Sequence, residues 1–239
     1  MKKFITLIAA VFCAVAVNSQ TLDNVLKNYY DAIGGSQKWS GIKTLTLTGK
    51  MSMQGMEITY KSYQKEPSKF KTEMEIMGQK IVQAYDGETA WMINPMTGNT
   101  AAQKMNEQQA EVLKNSATMG DPLVDYKTKG YQVTLEGSEE VEGIDCYVIK
   151  LIKKEGEPGA MLYLDKDSYL PLFTKETDPQ MGQEVLVVNS DFQDIGNGMI
   201  MPFLIETKLQ GQTVTTITFT DIKVNQSIDD SEFAFPEEI

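Results

Sequence analysis

Thr44-Leu45-Thr46-Leu47-Thr48-Gly49-Lys50-Met51-Ser52-Met53 sets an apolar side chain at almost every second position. Gln54-Gly55 interrupts the run, and Met56-Glu57-Ile58-Thr59-Tyr60-Lys61 resumes it. Successive side chains of a strand point to opposite faces, so a period of two marks a strand with one apolar face. Two such runs joined by a short Gly-containing dipeptide make an antiparallel hairpin.

The same pattern continues on both sides of this hairpin. Pro67-Ser68 turns the chain into Phe70, Met74 and Ile76, which alternate with Lys69, Lys71, Glu73 and Glu75. Gly78-Gln79 leads into a strand at 80–85, and Asp86-Gly87 into one at 89–93. Further strands are expected at 131–136, 145–153, 160–165, 172–176, 184–191, 200–208 and 213–224. Pro171 and Pro202 belong at strand starts or edges. A change of phase near Thr215-Thr216 calls for a bulge. The reading is a mainly β (α+β) chain of about eleven antiparallel strands.

Two helices accompany the strands. Leu22, Val25, Leu26, Tyr29 and Ile33 recur at helical spacing, with Thr21 as cap and Gly34-Gly35 as stop. After the fifth strand, Asn94-Pro95-Met96-Thr97-Gly98-Asn99 reads as a loop. Asn106 and Gln109 then have capping-box spacing, opening a helix to about Ala117 with Met105, Val112, Leu113 and Ala117 as its apolar stripe. Asp121-Pro122 could start one more helical turn, although Asp86 and Asp121 both read as turn formers. A sheet this large must close, fold on itself or be covered, and the helices are the natural cover for one concave face.

The N-terminus points away from the cytoplasm. Met1-Lys2-Lys3 is basic, residues 4–17 carry no charge, and Asn18-Ser19-Gln20 is small and polar. This is the pattern of a cleavable secretory signal peptide over residues 1–19, too short to span a bilayer comfortably. Cleavage after Ala16 and a retained anchor are the alternatives. Phe12 before Cys13 argues against lipid on that cysteine. Residues 20–239 are then a single domain, expected to act as a monomer in the periplasm.

Composition excludes several functions. The chain has no His and no Arg, and its formal net charge is −11. Removing Lys2 and Lys3 makes it more acidic still. Nucleic-acid binding needs clustered cations, and docking on anionic headgroups needs them too. Without His, neither a His-based nucleophile nor a His-based zinc site can be built. Cys146 alone remains beyond the leader, so no intramolecular disulfide forms, and its strand-like surroundings suggest a buried inert thiol. Glu139-Glu140, Asp165-Lys166-Asp167, Asp229-Asp230 and Glu237-Glu238 are carboxylate pairs without sign of a cleft. The second of these lacks the Gly and distant Glu of a calcium loop. No enzyme activity, cofactor or metal is expected. Met is abundant, at 14 residues. Met51, Met53, Met56, Met74, Met77, Met92, Met96, Met105 and Met119 suit either an adaptable core or a ligand wall. Trp91 is likewise either a core anchor or a pocket wall.

Several segments together resemble a known family. Tyr30-Asp31-Ala32-Ile33-Gly34-Gly35 and Ile42-Lys43-Thr44 are similar to the opening of a Bacteroidota group of secreted proteins with a fold like that of the LolA/LolB outer-membrane lipoprotein-sorting proteins. Asp86-Gly87 through Trp91 to Pro95, Gly143-Ile144-Asp145-Cys146-Tyr147, and Leu162-Tyr163-Leu164-Asp165 through Leu170-Pro171-Leu172 resemble the family's later strands. Phe192, Gly198, Pro202-Phe203 and Phe233-Ala234-Phe235-Pro236 complete the set.

The resemblance implies an unclosed antiparallel half-barrel with an N-terminal helix and a helical lid insertion. Its concavity would hold lipids or lipoprotein acyl chains, with an envelope membrane or receptor protein as a further partner. Strand alternation then selects the lining as Leu45, Leu47, Met51, Met53, Ile58, Tyr60, Phe70, Met74, Ile76, Trp91 and Ile93, with Val112 and Leu113 from the lid. LolA carriers tie the lid to the barrel with an arginine, which is absent here, so a Lys substitutes or the lid is held differently. The alternative is a non-catalytic interaction or envelope-sensor module on the same fold.

Overall fold

Hairpins build this molecule one after another. The computed structural model describes residues 20–156, 159–178 and 182–236; the expected signal peptide lies outside them. The chain begins with α1 (Leu22–Ala32) and α2 (Ser36–Ser40). Five strands follow, β1 (Thr44–Met53), β2 (Met56–Lys65), β3 (Lys69–Ile76), β4 (Gln79–Tyr85) and β5 (Ala90–Asn94). Next come β6 (Asn99–Lys104) and α3 (Glu107–Ser116). The remainder is β7 (Gln132–Val141), β8 (Ile144–Ile152), β9 (Ala160–Asp165), β10 (Pro171–Thr177), β11 (Glu184–Asp194), β12 (Ile200–Leu209) and β13 (Gln212–Val224).

All thirteen strands form one antiparallel sheet in the order β6-β5-β4-β3-β2-β1-β13-β12-β11-β10-β9-β8-β7. Two meanders are thus joined where β1 pairs with β13. The sheet does not close, because β6 and β7 stand at its two ends. It is an open half-barrel with helices on its inner face. Exposed Glu136, Glu139 and Glu140 on β7 guard one edge against pairing with another chain.

Four of the hairpin turns share one geometry. In Gln54-Gly55, Met77-Gly78, Glu142-Gly143 and Gln210-Gly211 both central residues have positive φ. That geometry matches the twist of the flanking strands, and glycine adopts it without penalty. The third turn of the chain is therefore Met77-Gly78 rather than Gly78-Gln79, which leaves Met77 87% exposed at its tip.

The sheet has thirteen strands where about eleven are expected. The strand that alternation misses outright is β6, folded back on β5 through the turn at Pro95–Thr97. The change of phase in the last strand is real but is two bulges. Val214 is skipped in the pairing with β12, and Thr220 in the pairing with β1. At the second bulge β1 and β13 approach so closely that a Cβ on Gly49 would lie 2.2 Å from the Thr218 carbonyl oxygen. Glycine at 49 is thus a condition of the pairing. Residues beyond Pro122 form turns, not a further helix.

The main core lies on the inner face. Val25, Leu26, Tyr29 and Ile33 of α1 pack with Trp39 against Leu45, Val133, Ile149, Leu151, Leu162, Leu164, Phe219 and Ile222. Thr21 caps α1, accepting from the Asn24 amide at 3.3 Å. A smaller inner cluster forms where α3 lies across β3, β4 and β5, with Leu113 and Ala117 on Phe70, Tyr85 and Ala90. Its capping box is complete, Asn106 and Gln109 each accepting the other's backbone N–H.

The outer face is covered differently at its two ends. Near β2–β5 the C-terminal segment crosses it. Lys65 and Lys69 reach Asp230 at 2.7 and 2.9 Å, and Lys71 reaches Glu232 at 2.7 Å. Trp91 Nε1 donates to the Phe233 carbonyl at 2.8 Å. Near β8–β10 a satellite cluster holds Cys146, Val148, Tyr163 and Phe173, with the Lys175 ammonium over the Tyr163 ring at 4.7 Å.

Candidate functional site

The helices roof only part of the inner face, and the strand register shows what remains open. Leu45, Leu47, Met51 and Met53 of β1 lie opposite Gln64, Ser62, Ile58 and Met56 of β2, with Gly49 opposite Tyr60. Across β2 and β3, Tyr60 pairs with Met74, Ser62 with Thr72 and Gln64 with Phe70. Nine of the expected lining residues therefore share the inner face: Leu45, Leu47, Met51, Met53, Ile58, Tyr60, Phe70, Met74 and Ile76. Leu45 and Ile58 are buried and Met53 is exposed; the other six are half-buried.

The other four divide. Leu113 faces down from α3 into the cluster with Phe70 and Tyr85. Val112 faces away, 38% exposed. Trp91 and Ile93 are on the outer face, a correction to their expected phase. Tyr85 pairs with Ala90, so Ala90 takes the inner position and Trp91, opposite Ala84, turns outward. There it packs with Val82, Ala84 and Phe235, whose ring meets the indole edge-on at 6.3 Å. Both faces of β5 are apolar, and a strand covered on both sides carries no alternation to read.

Sequence reasoning missed the far half of the same surface. Met51 pairs with Ile217 of β13, and Ile217 with Ile205 of β12. Ile58, Met51, Ile217 and Ile205 thus form an apolar band across four strands, extended by Met201 and Phe203. All ten residues of β12 are only half-buried. Their signal is weak because Ile200 and Leu204 make the other face of β12 apolar too. The Tyr60 and Phe219 rings meet across Gly49, with centroids 6.5 Å apart. Burial pushes the Tyr60 phenol above its ordinary range, and a hydrogen bond with Ser62 opposes this.

A cleft of about 260 Å³ opens at the helical end of this surface. Tyr29, Ile33 and Trp39 bound one side, Thr118, Gly120, Asp121 and Pro122 a second, and Leu45, Gln64, Leu162, Asn189 and Met201 the sheet side. A larger depression of about 700 Å³ lies outside α1, among Asp23, Lys27, Asp31 and Lys127, and its charged rim makes it a different kind of surface.

The segment over the cleft is tied down without arginine. The Tyr29 hydroxyl donates to the Asp121 carboxylate. The other Asp121 oxygen accepts from the Leu123 and Val124 amides at 2.8 and 3.1 Å. Tyr30 donates to the Leu123 carbonyl at 2.8 Å, and Lys129 to the Asp121 carbonyl at 2.7 Å. Farther along, Gln64 Nε2 donates to the Ser116 carbonyl at 2.9 Å and anchors the end of α3 to β2. Burial raises the Asp121 carboxyl above its ordinary range, against the pull of its hydrogen bonds. Burial, then the Asp121 charge, pushes Tyr30 up to about 12. Asp121 is the turn former that the sequence suggests and also the partner of a tyrosine 92 residues away.

Among the described residues no helix is long and apolar enough to cross a membrane. No group of three or more Cys, Asp or Glu among them is placed to hold a metal. Asp165 accepts from the Ser168 amide and hydroxyl, as a strand-end turn does.

A model of a family of uncharacterized proteins matches residues 62–235. No curated protein matches the chain by sequence. Among solved structures, a LolA superfamily protein from Nitrosomonas europaea aligns with a TM-score of 0.59 at 15% identity, covering 90% of this chain and 98% of that one. A domain assigned to outer-membrane lipoprotein sorting, from Vibrio parahaemolyticus, aligns with a TM-score of 0.57 at 11% identity, covering 87% and 94%. A DUF1329 family protein from Desulfovibrio piger aligns with a TM-score of 0.57 at 16% identity, covering 87% and 96%. At such identities the likeness to these structures is one of fold. The chain belongs to the family of uncharacterized proteins whose model it matches, and its fold is similar to that of the LolA superfamily protein from Nitrosomonas europaea.

Proposed function

We propose that this chain is a periplasmic binding or carrier protein for lipids or lipoprotein acyl chains, which it holds on the inner face of the half-barrel. One observation carries the reading. The band of Met51, Ile217 and Ile205 is half-exposed, and it runs on from the part of the inner face that the helices cover. Apolar surface of this extent facing a trough is unusual unless something covers it. The lining is aliphatic, Met and aromatic, so it adapts to chains of variable shape. Burying about ten CH₂ groups contributes about 8 kcal/mol gross, from which the cost of ordering the chain subtracts.

In this reading α3 and residues 118–124 are the movable cover, and the Tyr29–Asp121 and Gln64–Ser116 contacts hold it shut. The role is binding, not catalysis. Residues 1–19 act as a cleaved signal peptide, and residues 20–239 act as one domain that exchanges cargo with an envelope membrane or receptor protein. The similarity of fold to a lipoprotein-sorting domain agrees with this.

Displacement of a bound apolar dye tests the proposal. Acyl chains should compete, and Ile217→Glu should weaken dye binding more than tenfold while the circular dichroism is unchanged, because a carboxylate there disfavours any apolar occupant. Unaltered dye binding in that variant would overturn the assignment of this face.

A further inference from the structure

One inner-face row breaks the apolar pattern. Leu47, Ser62, Thr72, Gln83 and Met92 are successive cross-strand neighbours on β1 to β5. Thr72 falls between Phe70 and Met74, where alternation calls for an apolar side chain. Its residue is 7% exposed, and its Oγ1 is fully buried without a hydrogen-bond partner, the one such side-chain atom found among the described residues. Ser62 beside it is 1% exposed and already bonded with the Tyr60 hydroxyl. A buried hydroxyl without a partner is costly and rare in folded proteins, so its retention needs a reason.

We propose that Thr72 is the polar anchor of the acyl-binding trough and takes the carbonyl oxygen of an ester- or amide-linked acyl chain; this rests on the reading of the inner face as an acyl site. A hydroxyl lacking a partner donates to an acceptor, and a carbonyl supplies one. The subsite is neutral. Lys61, Lys69 and Lys71 alternate onto the outer face, where Lys69 and Lys71 pair with Asp230 and Glu232. The row therefore offers hydroxyls and an amide but no cation, which suits an uncharged linkage better than a free carboxylate or a phosphate. The chain's hydrocarbon would run along half-exposed Tyr60 and Met74 toward the band at Met51 and Ile217. Thr72 Oγ1 is covered while α3 is down, so the carbonyl would reach it as that cover lifts, fixing how deep the chain sits.

Dye displacement by two probes of matched carbon number, methyl decanoate and undecane, tests this on the mature protein and on Thr72→Val and Thr72→Ser. Valine keeps the shape and removes the hydroxyl; serine keeps the hydroxyl. Thr72→Val should bind methyl decanoate about threefold to tenfold more weakly, the worth of one neutral hydrogen bond, and undecane equally well. Thr72→Ser should restore the preference. Equal effects on both probes, or none, would overturn the anchor and leave the acyl site standing. Failure of both probes to displace dye from the unaltered protein would overturn the anchor and the acyl site together.

Discussion

Replacing Asp121 by alanine should unfasten the segment over the cleft. The carboxylate is half-buried at the edge of the cleft and accepts three hydrogen bonds, from the Tyr29 hydroxyl and the Leu123 and Val124 amides. Alanine leaves three donors without an acceptor, at about 1–3 kcal/mol for each that stays buried. Two effects reduce the total. Water can reach some of the freed groups, and removing the carboxylate relieves its burial, the largest cause of its raised pKa. The expected loss is about 3 kcal/mol, or about 6–12 °C in Tm for a chain of this size. Asp121→Asn keeps an oxygen for the amides and places an NH₂ against the Tyr29 oxygen, so it should fall within about 1 kcal/mol of the parent. The pH dependence has a definite sign. A carboxyl with a folded pKa above its unfolded value contributes stability that is fully present below about pH 4 and is lost as pH rises through the folded pKa. The parent should therefore gain on Asp121→Asn as the pH is lowered toward 4. Urea unfolding followed by circular dichroism at pH 4 and pH 7 measures all of this. Equal destabilisation by Asn and Ala, or a parent that loses ground to Asp121→Asn on acidification, would refute the reasoning.

Other expectations concern the outer face. Trp91→Ala should cost about 3–5 kcal/mol through the cavity it opens. It should also make residues 225–236 sensitive to limited proteolysis, because the indole holds the Phe233 carbonyl. Dye binding by the protein that remains folded should be unaffected, which separates the two faces; lost dye binding with an unchanged proteolysis pattern would contradict that placement. Cys146 is buried, and burial pushes its thiol up to about 11. It should ignore thiol reagents at pH 8 until the protein unfolds, and rapid labelling of the native protein would oppose this.

The hairpins of β1 to β4 are legible because one face of each strand is apolar and the other polar, as with Leu45 and Leu47 against Thr44 and Thr46. Legibility fails where that contrast fails. At β5 the C-terminal segment covers the second face, so Trp91 and Ile93 are as apolar as Ala90 and Met92 and the phase is lost. At β6, Asn99–Lys104 is an edge strand with no apolar stripe, held by pairing rather than burial. The candidate site is legible in its near half, from β1 to β3. Its far half, on β12 and β13, depends on two bulges and on a long-range pairing that no local pattern announces. Asp121 reads as a turn former, and only the fold brings Tyr29 to it. Thr72 is visible in the sequence as a polar residue on an apolar stripe, but its lack of a partner is a property of the folded sheet.

The most direct test of the central claim is native mass spectrometry of the mature protein, purified from the periplasm without detergent and followed by lipid extraction. A stoichiometric lipid or acylated peptide that leaves on extraction is the expected result. A bare polypeptide mass that stays bare when acyl ligands are added would contradict it.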